Sequence, residues 1–83
     1  MKLVSLSWEK DPTNVVEQQL LRSDDGGDYN IVWRQYGSHD NSVKDYVPDN
    51  VTSVNYKLRI WILVNGENHS LESNIIPKSF KEK

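Results

Sequence analysis

The chain has no cysteine, and among its 83 residues there is one methionine and one phenylalanine. Without thiols it has no disulfide brace and no thiolate chemistry. The absence assigns no compartment, because extracellular β-domains often lack bridges. Long hydrophobic runs are missing too. The longest, residues 60–64, falls far short of the ~20 residues a membrane-spanning helix needs. Charge of one sign is not in excess: ten basic residues face twelve acidic ones, spread along the chain, for a net −2. That balance supplies no basic stripe for nucleic acid. The opening Met1-Lys2-Leu3-Val4-Ser5 has a lysine but neither a long apolar stretch nor a small-residue cleavage site, so it does not read as a secretory leader.

What the chain does have is aromatic bulk and period-two patterning. Three tryptophans and four tyrosines suit a domain too small for a thick core. In residues 3–8, Val4, Leu6 and Trp8 fall on one face and Leu3, Ser5 and Ser7 on the other, the pattern of a half-buried strand. Pro12 and its polar neighbours end it. Residues 15–22 have helix-tolerant composition, but eight residues make a poor free-standing helix, and the rest of the chain argues for an extended segment. Ser23-Asp24-Asp25-Gly26-Gly27-Asp28 is a turn in which glycines supply positive φ and aspartates bond back to the main chain. Tyr29, Ile31 and Trp33 then alternate with Asn30, Val32 and Arg34, completing a hairpin.

Val43, Asp45 and Val47 share one side of a short segment. Burying Asp45 requires hydrogen-bond partners, so a bent or edge segment is expected there. Residues 54–64 form the strongest strand, with Tyr56, Leu58, Ile60, Ile62 and Val64 on one face and Lys57, Arg59, Trp61 and Leu63 on the other. Asn65-Gly66 signals a hairpin whose loop is expected to run to about Ser70, with a last strand over 71–76. Pro77 ends pairing or marks an edge. The expectation is one all-β domain over 1–83, a sandwich of about six strands with its core over 3–76. Residues 77–83 form a tail or linker, with Phe80 clipped to the core.

Three pieces resemble a fibronectin type III domain of the immunoglobulin-like group. Val4-Ser5-Leu6-Ser7-Trp8 is similar to the family's second strand with its buried tryptophan, here Trp8. The run from Leu20 to Tyr29, with its Asp-Asp-Gly-Gly turn, resembles a middle hairpin of bacterial members. The run from Val54 to Ile60, followed by Asn65-Gly66-Glu67-Asn68-His69-Ser70, resembles the sixth strand and its loop. The resemblance places Tyr56 at the tyrosine corner, whose hydroxyl ties to the preceding loop's backbone. The chain departs from the pattern in three places. It opens at the second strand, it has Gln18 where a third-strand tyrosine is usual, and it lacks the proline–glycine pair before Tyr56.

Chemistry-bearing groups are sparse. His39-Asp40 has no nucleophile beside it. His39 and His69 alone fall short of zinc's ligand count. Asp24, Asp25 and Asp28 lack the spacing of a calcium loop, and Gly26-Gly27 has no phosphate-loop continuation. Glu17, Glu67 and Glu72 offer carboxylates but no cleft for sugar hydrolysis. No catalytic residue, cofactor or metal is expected. The residues singled out for binding are the aromatics Trp61, Tyr36 and Tyr46 with Arg59, which suit a glycan or a protein partner. Trp8, Tyr56, Gly26 and Gly27 are expected to be structural. The resemblance implies a non-catalytic accessory, spacer or adhesion module, extracellular or at a cell surface, with neighbouring domains as partners. The absent first strand leaves an open edge from Leu3 to Trp8 on which a homodimer can form. Asn50-Val51-Thr52 and Asn68-His69-Ser70 match the glycosylation pattern, which matters only in a secreted eukaryotic protein.

Overall fold

The computed structural model describes residues 1–8, 15–37 and 41–80. Seven strands follow in order: β1 Lys2–Ser7, β2 Val15–Asp24, β3 Tyr29–Tyr36, β4 Ser42–Val47, β5 Ser53–Val64, β6 Glu67–Glu72 and β7 Ile76–Ser79. They make two sheets. One is the antiparallel pair β1–β4, and the other runs β3–β2–β5–β6 with β7 also paired to β5. The domain is a small all-β sandwich.

β5 organises it. Its β-branched and aromatic content favours a pleated strand, and burial alternates along it, with Val54, Tyr56, Leu58 and Ile60 turned inward. Val4, Leu6 and Val47 from the small sheet meet Leu20, Val51, Val54 and Tyr56 to form the core. Residues 15–22 are extended, as expected, and β2 is the central strand between β3 and β5. Centrality explains why β2 buries both faces. Leu20 and Gln18 lie inside, while Gln19 and Leu21 lie beneath their long-chain neighbours outside.

Both β2–β3 and β5–β6 are joined by tight turns with positive φ at two central residues. These are Asp25 (49°) and Gly26 (80°) in the first, and Asn65 (51°) and Gly66 (80°) in the second. Such primed turns match the right-handed twist of the strands they join. Gly26 is therefore required by its backbone. Gly27 has no such φ, and its amide closes the turn onto the Asp24 carbonyl at 2.9 Å.

Four expectations need correction. The loop after Asn65 does not run to Ser70, because the turn needs only two residues and β6 begins at Glu67. The last strand is not one piece over 71–76. The Ser73 amide bonds the Leu58 carbonyl and its hydroxyl accepts from the Leu58 amide, which ends β6. Pairing resumes in β7, giving seven strands, and Pro77 sits on the open side of that edge opposite Asn55. The tail therefore begins later than residue 77, and Phe80 is held to the core, its amide bonded to the Thr52 carbonyl. Finally, Tyr29, Ile31 and Trp33 do not share a face. The register shifts between Leu20 and Leu21, so Trp33 lies opposite Leu20 and packs on the core, while Ile31 lies opposite Leu21 and stays exposed.

Candidate functional site

Two groups of polar and aromatic side chains lie on opposite faces of the five-stranded sheet. The inner group starts from Arg22 and Tyr56, directly opposed on β2 and β5. Asp45 reaches them from β4 in the other sheet. Its Oδ2 accepts from Arg22 at 2.8 Å and from the Tyr56 hydroxyl at 2.7 Å. Arg22 also donates to Asp24 at 2.7 Å. Tyr56 is fully buried, and the Arg22 and Asp45 side chains are 13% and 12% exposed. Burial disfavours charge on Arg22, but its bonds to Asp24 and Asp45 outweigh this and raise its pKa. Burial first, then the bond to Asp45, pushes the Tyr56 hydroxyl above its ordinary range.

This arrangement meets one expectation and corrects another. Asp45 lies on an edge strand, as expected, regular rather than bent, and points inward with the partners that its burial requires. The Tyr56 hydroxyl bonds a side chain of the opposite sheet and not the backbone of the loop before it. The three guanidinium nitrogens of Arg22, the Tyr56 hydroxyl and Asp45 Oδ2 are all bonded to protein partners.

Trp8 is half-buried and stands edge-on to Trp33, ring centroids 5.6 Å apart. Its indole N–H donates to the side-chain oxygen of buried Gln18 at 3.1 Å. Gln18 in turn donates to Gln35 and to the Gly37 carbonyl. The Gln18 side chain thus satisfies the indole, and this partner was not anticipated.

The outer face is built in rows across the strands. Tyr36, Glu17, Trp61 and Ser70 form one row, and Arg34, Gln19, Arg59 and Glu72 the next. Ion pairs lace them: Arg34–Glu17 at 2.8 Å and Arg59–Glu72 at 2.9 Å, with Lys57 also near Glu72 at 3.4 Å. The bond from Arg59 holds the Glu72 carboxyl below its ordinary range. Lys57 sits 4.4 Å over the Tyr29 ring. Three of the four binding candidates, Trp61, Arg59 and Tyr36, are therefore together on this face. Tyr46 is not. It lies opposite Leu3 on the outside of the small sheet, both more than half exposed. Trp61 faces away from the core as expected, but it is half-buried rather than projecting. Gln19, missed by sequence reasoning, has a buried side-chain oxygen with no partner. Its isolation follows from being roofed over on both sides by longer chains.

The acidic hairpin tip holds itself together. Asp25 accepts from the Thr52 amide at 3.1 Å, the Thr52 hydroxyl at 2.7 Å and the Ser53 amide at 3.0 Å, and these bonds lower its pKa. With Asp24 on Arg22, two of the three clustered carboxylates already have protein partners. Among the described residues no three His, Asp or Glu converge as metal ligands. His69 stands on exposed β6 beside Glu67. His39 and Asp40 lie outside the described residues.

No protein-family model matches the chain, and comparisons with the curated proteins and with the solved structures also found no match.

Proposed function

We propose that this sandwich is a non-catalytic accessory module, a spacer or adhesion domain of a larger extracellular or surface protein, of the fibronectin type III-like kind. The observation that carries the reading is the strand order. In immunoglobulin-like sandwiches the second and fifth strands share one sheet, and the third, sixth and seventh share the other. With β1 as the second strand, β4 takes the fifth role, and β2, β5 and β6 take the third, sixth and seventh. The sequence resemblance assigns the second-strand role to residues 4–8 and the sixth-strand role to residues 54–60, and this agreement supports the reading. The engaged state of Arg22, Asp45 and Tyr56 supports a role in joining sheets rather than in chemistry. Reading the parent open reading frame tests this. The proposal expects coding sequence for further domains beside this one. A gene encoding this domain alone, with a turnover activity lost in Asp45→Ala at intact fold, overturns it.

A second reading, a binding module for a glycan, is favoured by the row Tyr36–Glu17–Trp61 on the outer face. Tyr36 and Trp61 are separated by one strand, roughly 10 Å, a spacing compatible with stacking on a sugar chain. Titration with glycans, followed by Trp fluorescence, tests it. Binding that Trp61→Ala abolishes supports the reading. An indole signal that no glycan moves removes it.

A further inference from the structure

The outer face of the large sheet has a direction. Tyr36, Glu17, Trp61 and Ser70 run in one row across the strands, from β3 at one edge to β6 at the other. Tyr36 is 68% exposed and Trp61 half-buried, with Glu17 between them. Two aromatic side chains in one row, roughly 10 Å apart, give a linear ligand two separate places to stack. A sheet face encloses no small molecule as a pocket does, so affinity here has to come from the length of the ligand.

Charge on the same face narrows the ligand class. The cations beside the row are Arg34, Lys57 and Arg59, and each already faces a carboxylate. Arg34 pairs with Glu17, while Lys57 and Arg59 share Glu72. An anionic ligand would have to displace one of these carboxylates from its partner. A protein partner would have to strip water from the pairs, and Glu and Lys are depleted from interface cores. A sugar hydroxyl does neither. It both donates and accepts, so it can bond a remaining carboxylate lone pair or guanidinium N–H while the ion pair stays intact.

Gln19 adds an acceptor. It lies in the neighbouring row between Arg34 and Arg59, 7% exposed, and its Nε2 donates to Glu17 at 2.6 Å. Its Oε1 is buried without a partner. An unpaired buried acceptor destabilises a fold, so its presence needs a reason. Of its two neighbours Arg34 is the looser, with its side chain 48% exposed against 29% for Arg59, which holds Glu72 through two nitrogens.

We propose that this face binds an uncharged linear polysaccharide laid across the strands. The chain stacks on Tyr36 and Trp61, and Gln19 Oε1 accepts from a sugar hydroxyl when Arg34 swings aside. The proposal rests on the glycan reading above and adds the charge class, the direction of the chain and a polar contact.

Calorimetric titration of the whole chain tests it, with neutral gluco-, manno- and xylohexaose, the matching disaccharides, and hexagalacturonate as the acidic counterpart. At least one neutral hexasaccharide should bind. Its disaccharide, whose two rings cannot rest on both aromatic side chains, should bind roughly tenfold more weakly or worse. Hexagalacturonate should not bind. Tyr36→Ala, at an exposed position, should weaken binding roughly tenfold. Gln19→Met keeps the length of the side chain and removes both polar atoms. It should weaken binding roughly fivefold, yet unfold at no lower urea concentration than the wild type, because the unpaired acceptor leaves together with the lost bond. A merely structural glutamine would show the reverse: a less stable fold and unchanged binding. Binding of hexagalacturonate alone, or of a neutral chain with affinity indifferent to Gln19→Met, overturns the proposal and leaves the glycan reading standing. No binding of any of these sugars to the wild type overturns both.

Discussion

The two faces of the large sheet carry nearly the same chemistry and put it to different use. Inside, an arginine on β2 meets a carboxylate from another sheet, and a tyrosine completes the group. Outside, an arginine on β5 meets a carboxylate on the adjacent strand, with a lysine alongside. The bond lengths are alike, 2.8 Å and 2.9 Å. Burial separates them. The inner charges have lost water, so each depends on its partner. The outer ones keep water as an alternative and gain little from each other. The inner group also crosses between sheets, while the outer pair joins strands already held by a ladder.

The comparison can be broken at several points. Asp45→Ala should be the most damaging change, costing about 3 kcal/mol, because it removes the acceptor of the Tyr56 hydroxyl and leaves Arg22 with Asp24 as its one remaining carboxylate partner. Urea unfolding measures it. Tyr56→Phe should cost less, about 1–2 kcal/mol, since Arg22 still holds Asp45. Gly26→Ala tests the backbone rather than the charge. A Cβ there meets no atom within 4 Å, so the cost comes from φ alone, about 1–2 kcal/mol.

The effect of pH gives a finer comparison. The Asp25 carboxyl is depressed by Thr52 and Ser53, so the folded state binds its proton less readily than the unfolded state. Its contribution is present above the ordinary carboxylate pKa of 3.8 and is lost as pH falls through the lower folded value. Asp25→Asn should flatten that part of the acid limb in a stability-against-pH series. Tyr56 acts at the other end. Its raised pKa means stability falls as pH rises past the ordinary value of 10.0, and Tyr56→Phe should remove that fall. Glu72→Gln, on the outer face, should be the smallest effect, within the error of unfolding experiments at moderate salt.

Much of the sandwich was legible because its signals are local. Alternation over Leu3 to Trp8 and along β5 fixed which residues face inward, and the Asn65-Gly66 pair marked its turn. Turn length was misjudged because β6 is exposed on every residue and shows no alternation. The bulge at Val32 was invisible because a register shift belongs to the pairing of two strands, not to either sequence. The Asp45 site was half visible. A carboxylate on an apolar face announced a need for partners, but its donors lie 23 residues before it and 11 after, and only the packing of two sheets brings them together. Gln18 likewise departs from the resembled pattern in sequence and acquires its meaning only beside Trp8.

A pair of double-mutant cycles read by urea unfolding tests the central contrast most directly: Arg22 and Asp45 across the sheets, Arg59 and Glu72 on the outer face. The account predicts strong coupling for the inner pair and coupling indistinguishable from zero for the outer pair. Equal coupling in the two cycles, or a larger value outside, would contradict it.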